Sequence, residues 1–296
     1  MRAFLLFFGL IVAALAVMAV AAYPAWLAVT PIMDGVPFHR VANRIGMLAL
    51  LVGFLLLARR MRLADRASLG YGIARPAFLR QAGLGFALGV LLMAPVVAML
   101  FVLELRVPVP DGEAIGAASL ARSALKGLLT GITVAFIEET FFRGAMFTAI
   151  EREAGARAAI LLTSVVYAAV HFVGRNRIPA AEVEWASGFE HVAGTLRAFG
   201  EPAVIADAFL CLTAVGIVLG AARVTTGNIA ACVGLHAGWV WIITLVREMT
   251  APAVGSPLAF LVSRYDGFVG WLVLAWTVVI GIGVLAWLRR TRNAPG

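Results

Sequence analysis

Hydrophobic positions in this chain fall in long unbroken blocks, separated by short polar links. A helix needs about 20 apolar residues to cross a hydrocarbon layer about 30 Å thick. Segments of that size run over 4–29, 37–58, 79–104, 120–150, 157–174, 202–223, 227–249 and 268–288. None alternates with the two-residue period of a barrel strand. Backbone amides in lipid must be satisfied within the segment, which leaves helices. The pattern therefore predicts an all-α polytopic membrane bundle of about eight transmembrane helices. It reads as one integral-membrane domain, 1–296, without a soluble domain, internal repeat or low-complexity segment. The first block follows Arg2 and passes small residues at Ala19, Ala21 and Ala22, as a secretory signal does. Its run continues to Val29, too long for a cleaved segment, and it is expected as a retained first helix.

Charge placement adds an orientation. Of 296 residues, 62% are hydrophobic and 14% charged, and the formal net charge is +8. Lys126 is the sole lysine, so nearly all the excess is arginine. Arg59, Arg60, Arg62, Arg66, Arg75 and Arg80 crowd the link between spans two and three; Arg152, Arg157, Arg223, Arg289, Arg290 and Arg292 fall in links or ends of the same side. The opposite links are balanced: 174–201 sets Arg175, Arg177 and Arg197 against Glu182, Glu184, Glu190 and Glu201. By the positive-inside rule both termini are cytoplasmic, in a membrane of the bacterial inner type. Basic residues are not interleaved with aromatic ones, so nucleic acid is no expected partner. Trp185, Phe189 and Val192 fall at helical spacing in the outer link, as an aromatic anchor or a short interfacial helix.

Six ionisable residues remain at membrane depth: Glu138, Glu139, Arg143, His171, Asp207 and His236. Each costs about 2.5–3.5 kcal/mol on insertion scales, so such residues mark function unless they are paired. Glu139 and Arg143 stand four apart and share a helical face, which predicts an ion pair. Glu138 is rotated about 100° away and has Phe142 at its own i+4 position, so it lacks a cation on its helix. Counted at 1.5 Å per residue, Glu138, His171 and His236 lie roughly 18, 20 and 14 Å from the same side. Three titratable groups at one depth on three helices predict a shared cavity.

A carboxylate and an imidazole can hold a water between them while a second imidazole donates to the developing oxyanion of an amide, which is general-base hydrolysis without a covalent intermediate. Ser164 lies about two turns from His171 and Cys232 one turn before His236, and neither is well placed as a nucleophile. Cys211 and Cys232 read as packed thiols. Two histidines and a glutamate are also a catalytic zinc set, although the compact H-E-x-x-H arrangement is absent. Buried Glu and His also serve proton-coupled transporters, but no duplicated half or pair of broken helices is visible.

These residues resemble a known family. Glu138-Glu139-x-x-x-Arg143 is similar to the first motif of the CAAX-protease and bacteriocin-processing (CPBP, or Abi) family of intramembrane endopeptidases. Tyr167-x-x-x-His171 resembles the second motif with tyrosine for phenylalanine, and Leu235-His236-Ala237-Gly238-Trp239 the third. Leu69-Gly70-Tyr71-Gly72-Ile73-Ala74-Arg75-Pro76 is similar to a segment often found before that core, so the likeness spans 65–245. The resemblance implies a glutamate-type protease without a cofactor, acting on a peptide or membrane-anchored protein within the lipid. Glu138 and His171 would activate the water, His236 would help form the oxyanion site, and Glu139 and Arg143 would support the first motif. One position departs: where the family has Asn or Asp four residues after the third-motif histidine, this chain has Val240. That departure leaves open a non-catalytic relative that binds a peptide, lipid or membrane protein in the same cavity.

Overall fold

Nine α-helices and one short two-stranded ribbon make up the described part of a computed structural model of the chain, covering residues 1–109, 116–173 and 176–293. The helices are α1 (Arg2–Val29), α2 (Phe38–Arg60), α3 (Arg75–Val102), α4 (Ala117–Glu139), α5 (Phe147–Val170), α6 (Ser187–Gly200), α7 (Pro202–Thr226), α8 (Ala230–Met249) and α9 (Trp271–Asn293). A π-helical stretch, Thr140–Met146, joins α4 to the first part of α5. Strands β1 (Arg106–Pro108) and β2 (Thr250–Pro252) pair antiparallel.

Six helical stretches among the described residues are long and apolar enough to cross a membrane, and Trp271–Gly283 of α9 is a shorter apolar one. One of the six, Ala118–Val170, contains the fourth expected span and the fifth as far as Val170. They are divided at Gly155, whose φ of 80° and ψ of 169° break the helix. The chain is thus an integral membrane protein of the all-α polytopic class. Other boundaries follow local chemistry. Pro202 sits in the first turn of α7, where a missing amide is harmless. Gly227 ends α7 in the left-handed conformation (φ 67°) and donates its amide to Arg223. The outer-link aromatics part company: Phe189 and Val192 lie on α6, whereas Trp185 precedes it and packs edge-on against Tyr23. Arg175, counted in that link, lies outside the described residues.

Helix α8 is central, with α3 and α4 packed along it and α7 on another side; α5 packs on α7, and α1 packs on α2 and α6. Small residues set the approach to α8. A Cβ added at Gly234 would lie 2.0 Å from the Ala82 carbonyl oxygen, and one at Gly238 2.6 Å from that of Phe86. On α4, a Cβ at Gly131 would lie 2.7 Å from the Ala237 oxygen. In lipid, helix association rests on such close packing because the hydrophobic effect does not favour contact between helices. His236 sits between these points of contact, so its side chain is presented to the bundle interior and is buried.

Candidate active site

The first motif sits at the junction of α4 and the π-helical stretch. Widened turns of this kind recur at functional sites because they re-aim side chains and free backbone oxygens. Here Arg223 Nε donates to the Arg143 carbonyl at 3.1 Å, and Arg223 Cζ lies 5.5 Å from the Phe147 ring centroid. The sequence pattern places Arg223 in a polar link; it is instead buried near the end of α7, where it holds a main-chain oxygen of the motif.

Glu139 and Arg143 are fully buried and form the expected pair, Nη1 to Oε1 at 3.3 Å. Burial of an ion pair is tolerable only when further polar partners complete it. Arg143 Nη2 donates to the Gly216 carbonyl at 3.3 Å, and its guanidinium lies 4.5 Å from the Tyr167 ring centroid. Gly216 also lets α5 pack closely on α7, since a Cβ there would meet Ser164 at 2.8 Å. The same Glu139 Oε1 lies 2.8 Å from His236 Nδ1. An ionised carboxylate only accepts, so Nδ1 carries a proton, and Nε2 is the His236 nitrogen turned to Glu138. Glu139 therefore has two partners. The helical spacing revealed Arg143; the second lies 97 residues away and across a helix interface.

Glu138 Oε2 stands 4.0 Å from that Nε2. This oxygen is buried with no hydrogen-bond partner among the described residues, while the Glu138 side chain as a whole is 28% exposed. His171 is the residue just beyond α5, at the end of its helix rather than within a span. Its ring Nδ1 lies 2.7 Å from the Tyr167 carbonyl, so this nitrogen donates and Nε2 keeps its lone pair. The Tyr167 ring meets His171 edge-on at 4.5 Å and His236 at 6.0 Å between centroids. One tyrosine thus touches a residue of each motif, and Glu138, Glu139, Arg143, His171 and His236 form one connected cluster. Tyr167 escaped the reading of polar positions, and its place four residues before His171 is the signal that marks it.

The rival nucleophiles point elsewhere. Ser164 Oγ donates to the Ile160 carbonyl at 2.6 Å, and Cys232 Sγ to that of Leu219 at 3.3 Å. Asp207 accepts from Ser263 Oγ and from the Ala208 amide. Val240 adds no side-chain polar group one turn beyond His236; its carbonyl accepts from Thr244. Among the described residues no group of three or more His, Cys, Asp or Glu converges closely enough to hold a metal ion. Two surface cavities, of about 580 and 430 Å³, are lined by residues of 26–39 with 177–180 and of 66–75. Neither includes a residue of the cluster.

The link 61–74 closes one flank of the motif. A Cβ at Gly144 would lie 2.7 Å from the Leu69 oxygen, Thr148 Oγ1 donates to Ser68 O at 2.8 Å, and the Ile229 amide donates to Gly70 O at 3.1 Å. Tyr71 and Thr140 hydroxyls are in contact. The segment that resembles the family's pre-core stretch is therefore packed on the first motif.

No curated protein and no solved structure matches the chain. Residues 120–242 match the family described as Type II CAAX prenyl endopeptidase Rce1-like, and this range contains Glu138, His171 and His236. Residues 120–242 are therefore similar to the CAAX-protease and bacteriocin-processing family, a family of proteases.

Proposed function

We propose that this protein is an intramembrane endopeptidase that hydrolyses a peptide bond with water activated by Glu138. Glu138 Oε2 takes a proton from the water, and the lone pair on His171 Nε2 accepts the other hydrogen and orients the attack. The new C–O bond forms as the carbonyl π electrons move to oxygen. His236 in its doubly protonated form donates Nε2–H to that oxyanion, with Nδ1–H held by Glu139. The oxyanion electrons then re-form the carbonyl as the C–N bond breaks, and Glu138 returns its proton to the leaving amine. No covalent enzyme intermediate is formed. The observation that carries the reading is the unpartnered, buried Oε2 of Glu138 facing Nε2 of an imidazole whose Nδ1 is tied to a carboxylate.

The substrate is a peptide or membrane-anchored protein that reaches the site within lipid. The arginine distribution supports an inner-membrane protein with both termini in the cytoplasm. A single domain, 1–296, with a catalytic core over 65–245 is supported by the packing of the 61–74 link on the first motif. Val240 favours a second reading, in which the cluster binds a peptide or lipid without turnover. The two are separated by comparing the termini of membrane proteins from cells carrying the wild type and Glu138→Gln. New termini present only with the wild type support the protease; identical termini support the binding protein.

A further inference from the structure

His171 ends its helix, and helix ends leave carbonyls without partners. Past Val170 the amides of His171, Phe172 and Val173 turn back three residues, to Ala168, Ala169 and Val170, at 3.3, 3.1 and 3.2 Å. The His171 carbonyl would be one of the orphans. Instead it accepts from Tyr265 Oη at 2.6 Å. The Tyr265 ring packs on Phe172 with centroids 4.4 Å apart.

Tyr265 belongs to the loop between β2 and α9, beyond the residues that match the family. That loop is tied at several points. Ser263 Oγ donates to Asp207 Oδ1 on α7 at 3.1 Å and accepts from the Tyr265 amide at 3.1 Å. Asp266 Oδ1 accepts the Phe268 and Val269 amides at 2.9 and 3.0 Å, and its other oxygen pairs with Arg247. Arg106 Nη1 donates to the Gly267 carbonyl at 2.8 Å. Ser263 and Asp207 are both buried. The depth of polar Asp207, which the hydrolytic chemistry leaves unused, is thereby explained: it anchors the loop.

We infer that the 263–268 loop is a positioning clamp for His171. Tyr265 holds the helix end at its last carbonyl, and Ser263 and Asp207 hold Tyr265. Clamping the backbone fixes the imidazole, because its Nδ1–H is committed to the Tyr167 carbonyl one turn earlier. Tyr265 touches no reacting atom in this account, so it is a positioning residue. The inference rests on the proposed role of His171.

The test uses the full-length protein in detergent micelles and a peptide spanning a junction found by the comparison of termini. Tyr265→Phe keeps the Phe172 packing and removes one hydroxyl. One lost hydrogen bond lowers kcat about three- to tenfold, with KM unchanged. Ser263→Ala moves kcat in the same direction. A merely structural role would lower the folded fraction but leave kcat per folded enzyme unchanged. Amide exchange at 171–173 rises in Tyr265→Phe while that of 139–146 stays put. Wild-type kcat in Tyr265→Phe, with Glu138→Gln inactive, overturns the clamp and leaves the protease reading intact. If Glu138→Gln cleaves normally, the protease reading fails, and exchange alone decides: unchanged protection at 171–173 rejects the clamp, and raised protection loss upholds it.

Discussion

Replacing Glu139 with glutamine removes one charge from a fully buried ion pair. Arg143 is then left fully buried, with the Gly216 carbonyl at 3.3 Å and the Tyr167 ring as its remaining partners and with Nε unpaired. Breaking a buried pair by deleting one member costs about 3–5 kcal/mol, because the surviving charge stays desolvated. Glutamine preserves the shape and can still accept from His236 Nδ1, so the loss falls on the arginine side. Glu138→Gln is the matched control. Its carboxylate stands 4.0 Å from His236 Nε2 and is partly exposed, so about 1 kcal/mol or less is expected. The assay is chemical unfolding of both purified variants in the same micelles, followed by tryptophan fluorescence. A Glu138→Gln protein as unstable as Glu139→Gln would refute the division of labour between the two acids.

Further outcomes follow from packing and titration. Gly85→Ala places a Cβ 2.7 Å from the Ala231 oxygen and should destabilise the protein by about 1–3 kcal/mol, whereas Gly83→Ala on the same helix meets nothing within 4 Å and should be neutral or mildly stabilising in the same unfolding assay. Burial holds the Tyr71 phenol above its ordinary 10.0, against the opposing pull of its Thr140 hydrogen bond. A raised pKa means that the unfolded chain releases this proton first, so the stability the neutral phenol contributes is complete below 10.0 and declines as pH rises through the folded value. The gap in stability between wild type and Tyr71→Phe should therefore narrow in alkaline titrations; a gap that widens contradicts the burial argument. Cleavage should survive dialysis against chelator, and activity lost there but restored by zinc would assign the histidines to a metal.

The spans were legible because lipid imposes both length and polarity, and the charges Arg152 and Arg157 marked the link between the fourth and fifth. The Glu139–Arg143 pair was legible because four residues along a helix is a fixed distance. The contact from Glu139 to His236 was not, since it depends on how α4 crosses α8, and that crossing is set by Gly131, Gly234 and Gly238 against carbonyls of other helices. Depth counting brought Glu138, His171 and His236 to one level but gave no lateral position; Tyr167 and the close α5–α7 approach at Gly216 supply it. The π-helical turn has no periodic signature, which is why Arg223 looked like a link residue. Tyr265 could not be found at all from His171, because 94 residues separate them and a tyrosine in a loop ordinarily means little.

Purified protein bears on the central claim most directly. Steady-state cleavage of the junction peptide by wild type, Glu138→Gln, His171→Ala and His236→Ala should show turnover only in the wild type, with all three variants still folded in micelles. Undiminished turnover in any folded member of the trio contradicts the assignment of water activation and oxyanion binding to this cluster.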